Sequence, residues 1–138
     1  MSTKIQRIDY YYASTEDRPG ATYQILQMLA SSGVDLLAFS SMPTGPSQAQ
    51  LALFPRDADH LLKVAPKIGL SISDTQQRAF IVFGDDELGA LSEVHRKLFD
   101  AKINVFSSYG VTGGDQRFGY VFYVRPEVYE RAASVLGV

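Results

Sequence analysis

The sequence predicts an α+β fold made of two βαββαβ units in tandem, the second lacking its last strand. Three observations carry this. Asp17-Arg18-Pro19-Gly20-Ala21, followed by an amphipathic run ending in Gly33-Val34-Asp35-Leu36, is matched by Asp86-Glu87-Leu88-Gly89-Ala90 and a similar run ending in Lys102-Ile103-Asn104-Val105. The spacing is constant, since Asp17 to Asp86 and Asp35 to Asn104 are both 69 positions apart; a fixed period of this kind marks one folding unit used twice. Finally, short alternating apolar runs and helical apolar faces follow one another between Pro/Gly turns in the same order in both halves.

Each element of repeat 1, residues 1–76, has a local reason. Ile5 to Tyr12, with Ile8, Tyr10 and Tyr12 on one parity, reads as a strand. Asp17-Arg18-Pro19-Gly20 punctuates, with Pro19 suited to a first helical turn, where its missing N–H goes unused. Thr22, Ile25, Leu26 and Leu29 share one helix face, and Gly33 ends it as a left-handed cap would. Val34 to Met42 reads as a strand, Pro43-Thr44-Gly45-Pro46 as a turn, and Gln48 to Phe54 as the return strand. Pro55-Arg56-Asp57 opens a second helix carrying Leu61, Leu62 and Val64 and stopped by Pro66; Leu70 to Ser73 is a short fourth strand.

Repeat 2, residues 77–138, follows the same plan: strand Ala79 to Phe83, helix Leu88 to Ala101, strand Ile103 to Val111, a hairpin at Thr112-Gly113-Gly114-Asp115, strand Gln116 to Val124 and helix Pro126 to Leu136. Pro55 matches Pro126, which places two extra residues in the second hairpin. Val138 comes before any fourth strand, so the edge of strand 79–83 is left open, and open edges are normally covered. Three candidates can cover it: the 68–76 segment, one long strand shared by both halves between Ile72 and Phe83, or a neighbouring chain. The last makes a homodimer an expectation.

Composition narrows the function classes. The chain has 138 residues, 46% of them hydrophobic, which suits globular folding in two small units that need mutual or intermolecular support. It has no cysteine, excluding disulfides and thiolate chemistry and suiting a reducing compartment. No apolar stretch approaches a membrane span and Met1-Ser2-Thr3-Lys4 begins no signal core, so a cytoplasmic protein without a membrane partner is expected. A net charge of −2 argues against a nucleic-acid partner.

The run Asp17-Arg18-Pro19-Gly20-Ala21, Leu26, Leu29, Gly33-Val34-Asp35 and Ser40 resembles the start of an ACT domain, the amino-acid-sensing module attached to many enzymes of amino-acid metabolism. Leu88-Gly89-Ala90, Leu98, Ile103-Asn104-Val105 and Ser108 look like the same motif again. The resemblance implies two ferredoxin-like ACT repeats over essentially the whole chain. It also implies allosteric regulation by a free amino acid held between paired modules, at the first strand–helix loop and the polar residue of the second strand. By that resemblance the ligand-binding residues are Asp17, Arg18, Pro19, Gly20, Ala21 and Asp35 in repeat 1, and Asp86, Glu87, Leu88, Gly89, Ala90 and Asn104 in repeat 2. The chemistry of a zwitterion agrees. A helix start offers free N–H groups to a carboxylate, a glycine admits close approach, and Asp17, Asp35, Asp86 or Glu87 can receive an ammonium. The repeats differ, since Arg18-Pro19 faces Glu87-Leu88 in the alignment and Asp35 faces Asn104. Asp35 would repel a ligand carboxylate beside it. This favours the Asn104 site, while the Arg18 loop keeps the better motif.

Other signals have plainer explanations. Phe118-Gly119-Tyr120-Val121-Phe122-Tyr123 looks like the core of an RNA-binding aromatic strand, but Gln116 and Arg117 depart from that pattern and repeat 1 has Ala49-Gln50-Leu51-Ala52-Leu53 there. His95 stands where repeat 1 has Leu26 and reads as a partly buried core residue with one hydrogen bond, and His60 reads as solvated. Two such histidines supply no metal set. No nucleophile–base pair, carboxylate dyad or cofactor motif stands out, so the reading is a non-catalytic amino-acid-binding protein without a cofactor. The alternatives are a ligand-free interaction or dimerisation module, and RNA binding through 118–123.

Overall fold

The structure is a computed structural model describing residues 3–73 and 75–138. Its strands are β1 (Lys4–Glu16), β2 (Leu36–Gly45), β3 (Gln48–Pro55), β4 (Gln77–Asp85), β5 (Ser107–Thr112) and β6 (Arg117–Tyr123). Its helices are α1 (Ala21–Ser31), α2 (Ala58–Lys67), α3 (Ala90–Asp100) and α4 (Tyr129–Leu136), the last preceded by a 3₁₀ turn at Pro126–Val128. The order is the duplicated α+β plan expected from the sequence. The chain divides into two compact units, Asp9–Gln77 and Arg78–Val138, with the chain up to Ile8 counted in the latter.

In the Asp9–Gln77 unit the strand order is β2–β3–β1, both pairings antiparallel. Tyr11, Ala13, Leu51 and Leu53 turn toward Ile25 and Leu29 of α1 and Leu61, Val64 and Ala65 of α2, forming one apolar core. Tyr10 points the other way from Tyr11 and stacks on Phe54 with ring centroids 4.8 Å apart, so both tyrosines are buried. The fourth strand expected at Leu70–Ser73 is reduced to one bridge, Ile72 to Ala13, with the Ser73 N–H donating to the Tyr12 carbonyl (2.9 Å). Pro66 does not stop α2; it sits in the last turn, and Lys67 closes the helix.

In the other unit the order is β1–β4–β6–β5. The strand beside β4 is therefore the start of β1, and neither 68–76, a strand running from Ile72 to Phe83, nor a second chain is needed to cover that edge. Thirteen residues make β1 long enough for Lys4–Ile8 to belong to this unit and Asp9–Glu16 to the other. Phe80, Val82, Phe118, Tyr120 and Phe122 form its core with Val94 and Leu98 of α3 and Tyr129 and Ala133 of α4, and Ile5 packs against them. Phe118, Tyr120 and Phe122 are thus buried in a helix-covered core and offer no stacking surface to bases, while Tyr123 is half-buried near Phe106 and Tyr109.

Tyr129 is the fastening point of α4. Its ring stacks on Phe80 (4.6 Å), its buried hydroxyl donates to the Ala79 carbonyl (2.9 Å), and the Arg78 guanidinium lies 4.2 Å from its centre. Arg7 and Arg78 both donate to Glu130, at 3.0 and 2.7 Å. The hydrogen bond from Arg78, then that from Arg7, holds the Glu130 carboxyl below its ordinary value of 4.5. A carboxyl depressed in the folded state stabilises it above the unfolded-state pKa and loses that contribution as pH falls through the folded one. Glu130→Gln should therefore melt below the parent at neutral pH. The gap should close as pH drops below about 4.5, which melting curves of both proteins across pH 3–7 would show.

The register corrects one expectation about the repeat. Glu16 pairs with Gln48 and Asp85 with Arg117; Tyr11 pairs with Leu53 and Phe80 with Phe122. All four keep the spacing of 69, so the two hairpins have equal length. The extra residues lie later, in the 3₁₀ turn before α4, whereas α2 starts directly after Asp57, whose side chain accepts from the His60 N–H. Even the turn geometry repeats. Ser47 and Gln116, both at positive φ (63° and 64°), offer their carbonyls to the N–H groups of Asp17 and Asp86 at 2.9 and 2.8 Å.

Candidate functional site

The first loop after β4 is the place where a site is built. Both α1 and α3 start immediately after a left-handed glycine, Gly20 (φ 89°) and Gly89 (φ 80°), and neither N-cap makes a side-chain hydrogen bond. The helices begin at Ala21 and Ala90, so Pro19 and Leu88 lie outside them. A left-handed backbone there costs a side-chain-bearing residue strain that glycine avoids. The Ala21 and Ala90 N–H groups turn back to the Arg18 and Glu87 carbonyls (3.3 and 3.1 Å), which leaves the next N–H groups of each first turn, with the positive end of the helix dipole behind them, to face a ligand.

Repeat 2 turns this opening into a pocket of about 550 Å³, between the 86–92 turn, strand residues 110–112 of β5 and 118–120 of β6. Asp86, Glu87, Leu88, Gly89 and Ala90 all line it. Asp86 and Glu87 are exposed, while neighbouring Asp85 is held by Arg117 at 2.7 Å. The depth comes from glycines. Gly110 lies opposite Tyr120 in the β5–β6 ladder, and a methyl group on it would sit 3.0 Å from the Tyr120 ring and 3.3 Å from the Gly119 carbonyl. The Tyr120 ring thus leans over a strand kept bare to receive it. Its hydroxyl is 2.7 Å from Nε2 of His95, which is half-buried as expected. Asn104 is exposed and does not line this pocket.

The repeat 1 residues are differently engaged. Asp17, Arg18, Pro19 and Gly20 are exposed and Ala21 is buried. Arg18 donates to Glu16 (2.6 Å) and to the Pro19 carbonyl (3.4 Å). Asp35, the carboxylate expected to disturb a ligand, is paired with Arg56 at 2.7 Å. Arg125, at the place of Arg56 in repeat 2, lies over the Phe106 ring instead, 6.0 Å from its centre, consistent with Asn104 having no charge to offer. Where repeat 2 has Gly110, Gly119 and Ser92, repeat 1 has the larger residues Ser41, Gln50 and Tyr23.

Sequence reasoning missed the wall formed by 110–112 and 118–120, although Gly110 and Gly119 inside strands were a usable signal of close approach. His60 departs from the solvated position expected of it. Its Nε2–H donates to the Ser32 carbonyl (2.9 Å) at the end of α1, so it is partly buried and bonded. Among the described residues no three His, Cys, Asp or Glu side chains converge as a metal site requires, and no helix is long and apolar enough to cross a membrane.

No protein-family model and no curated protein matches the sequence. Solved structures do match the fold. Protein BT0572 from Bacteroides thetaiotaomicron is similar at a TM-score of 0.77 and 14% identity, over 96% of this chain and 88% of that one. The ligand-free regulatory subunit of aspartate kinase from Thermus thermophilus is similar at 0.60 and 15%, over 99% and 95%. Its counterpart from Thermus flavus matches at 0.53 and 16% over the same shares. At such identities the likeness shows a shared fold, which is ACT-like and spans both repeats.

Proposed function

We propose that this protein is a non-catalytic regulatory module that binds a free amino acid in the pocket before α3. The observation that carries the reading is the pocket itself: an uncapped helix start, two exposed carboxylates and an apolar wall meet within one small-molecule-sized space. A zwitterion is complementary to it. Its carboxylate suits the α3 N–H groups and its ammonium suits Asp86 or Glu87. The likeness to a subunit named as regulatory supports the same reading. The repeat 1 loop, with Arg18 and Asp35 tied to neighbouring charges, is the weaker site in this proposal. A cytoplasmic setting and a homodimer belong to it too, the latter through β5, which ends the strand order and exposes all six residues. Regulation then requires only that ligand favour one packing state over another.

The test is thermal melting against the twenty amino acids, followed by calorimetry. A specific ligand at 100 times its dissociation constant adds about 2.7 kcal/mol. Gly89→Val, which forces a branched residue into the left-handed conformation at the pocket floor, should abolish the response. The exposed β5 edge favours one second reading, a ligand-free interaction module. Flat melts with all twenty, together with concentration-dependent self-association, would replace the first reading by that one.

A further inference from the structure

The strands that end the strand order, β2 and β5, are equivalent in the repeat but built differently. β5 pairs with β6 without a shift of register from Ser107 to Thr112 and holds neither proline nor charge. The Gly113 N–H donates to the Arg117 carbonyl (3.0 Å), one step beyond the Thr112–Phe118 pair, which sets the phase of this ladder. Alternate residues of an antiparallel strand turn both backbone groups to the same side. Ser107, Tyr109 and Val111 thus bond toward β6, and Ser108, Gly110 and Thr112 offer an N–H and a carbonyl outward. On β2, Pro43 stands at the place of Thr112 and lacks that N–H, and the register shifts at Leu36/Ala38 and Pro43/Gly45. Prolines and bulges blunt an edge. β2 is closed to another strand and β5 is open.

We infer that β5 pairs antiparallel with β5 of a second copy, about a two-fold axis through Gly110, and that β2 takes no part. In that register the strand is complementary to itself. Gly110 meets its own copy without a side chain, and the Ser108 and Thr112 hydroxyls lie opposite each other. Tyr109 faces Val111, an aromatic–β-branched pair of the kind that stabilises strand association. Tyr109 and Val111 are 37% and 72% exposed in one copy, and Phe106 beside them 53%, so pairing covers apolar surface. The charges agree. Exposed Asp86 and Glu87 share a pocket with Gly110 and Thr112 at one end of β5, and exposed Arg125 lies over Phe106 at the other. An antiparallel partner brings acidic end to basic end, whereas a parallel one sets like on like. The inference rests on the proposed homodimer and needs no ligand.

Light scattering on the ligand-free protein should give twice the 15.2 kDa of one chain. Ser108→Pro removes an outward N–H and no β5–β6 bond, so it should give a monomer with the parent's far-UV circular dichroism. Ser108→Ala should stay dimeric. Facing residues of such a pair have Cβ atoms about 4.5–5.5 Å apart, near disulfide range. The chain has no cysteine of its own, so Tyr109→Cys combined with Val111→Cys should give a covalent dimer on oxidation. The equivalent pair on β2, Ser40→Cys with Met42→Cys, should not. If Ser108→Pro loses its fold, the two cysteine variants decide. A wild-type monomer at every soluble concentration, a dimer that survives Ser108→Pro, or a crosslink through β2 and not through β5 overturns the inference. Each of these leaves the amino-acid site to stand or fall by the melting screen alone.

Discussion

Phe80→Ala is expected to destabilise the protein by about 3–5 kcal/mol, a large share of the stability of a small protein. Phe80 has no exposed surface and lies between two rings, Phe122 at 5.2 Å and Tyr129 at 4.6 Å. Truncation removes the transfer free energy of a benzyl group and leaves a void that strands and a helix cannot close without moving. It also removes the platform that orients Tyr129, whose hydroxyl reaches the Ala79 carbonyl and whose ring lies beneath Arg78. Chemical denaturation followed by far-UV circular dichroism gives the value. A loss under about 1 kcal/mol would mean that this core is loosely packed, contrary to the geometry described.

Starting the chain at Asp9 should be comparably damaging. The truncation removes the strand next to β4, the packing of Ile5 against the aromatic core, and the ion pair from Arg7 to Glu130. Lost apolar burial and ladder hydrogen bonds together come to on the order of 3 kcal/mol or more. The exposed β4 edge is a template for another chain, so the variant should also self-associate. Size-exclusion chromatography and melting of the shortened protein check both effects. A monodisperse protein with the parent's melting temperature would show that Lys4–Ile8 contributes nothing to the Arg78–Val138 unit.

How much of this was legible depended on whether the cause was local. The constant spacing from Asp17 to Asp86 made the duplication, element order and helix starts readable, because turn chemistry at Gly20 and Gly89 is written in a few adjacent residues. The cover for β4 was not, because it comes from Lys4–Ile8 and no local pattern links those residues to Gln77–Asp85. The misplaced extra residues have a similar origin. Matching Pro55 to Pro126 ignored that Arg56 and Arg125 still keep the spacing of 69, a fact that only the ladder makes obvious. Five of the six repeat 2 site candidates, Asp86 to Ala90, line one pocket, while Asn104 does not. The opposite wall was hidden because Gly110 and Tyr120 meet only through the β5–β6 register. His95 was correctly read as a bonded, half-buried residue, but its partner could not be named from helix periodicity.

The placement of Lys4–Ile8 has a consequence for the order of events during synthesis. Arg7 pairs with Glu130, 123 positions further along, so the Arg78–Val138 unit cannot be finished until α4 has left the ribosome. Asp9–Gln77, whose pairings are all short-range by comparison, can form while translation continues. Contacts of high sequence separation slow folding. A pulse-labelling hydrogen-exchange experiment on the full-length protein should therefore find β1–β3 amides protected well before those of β4, with the leading segment of the chain waiting as an unpaired strand in between.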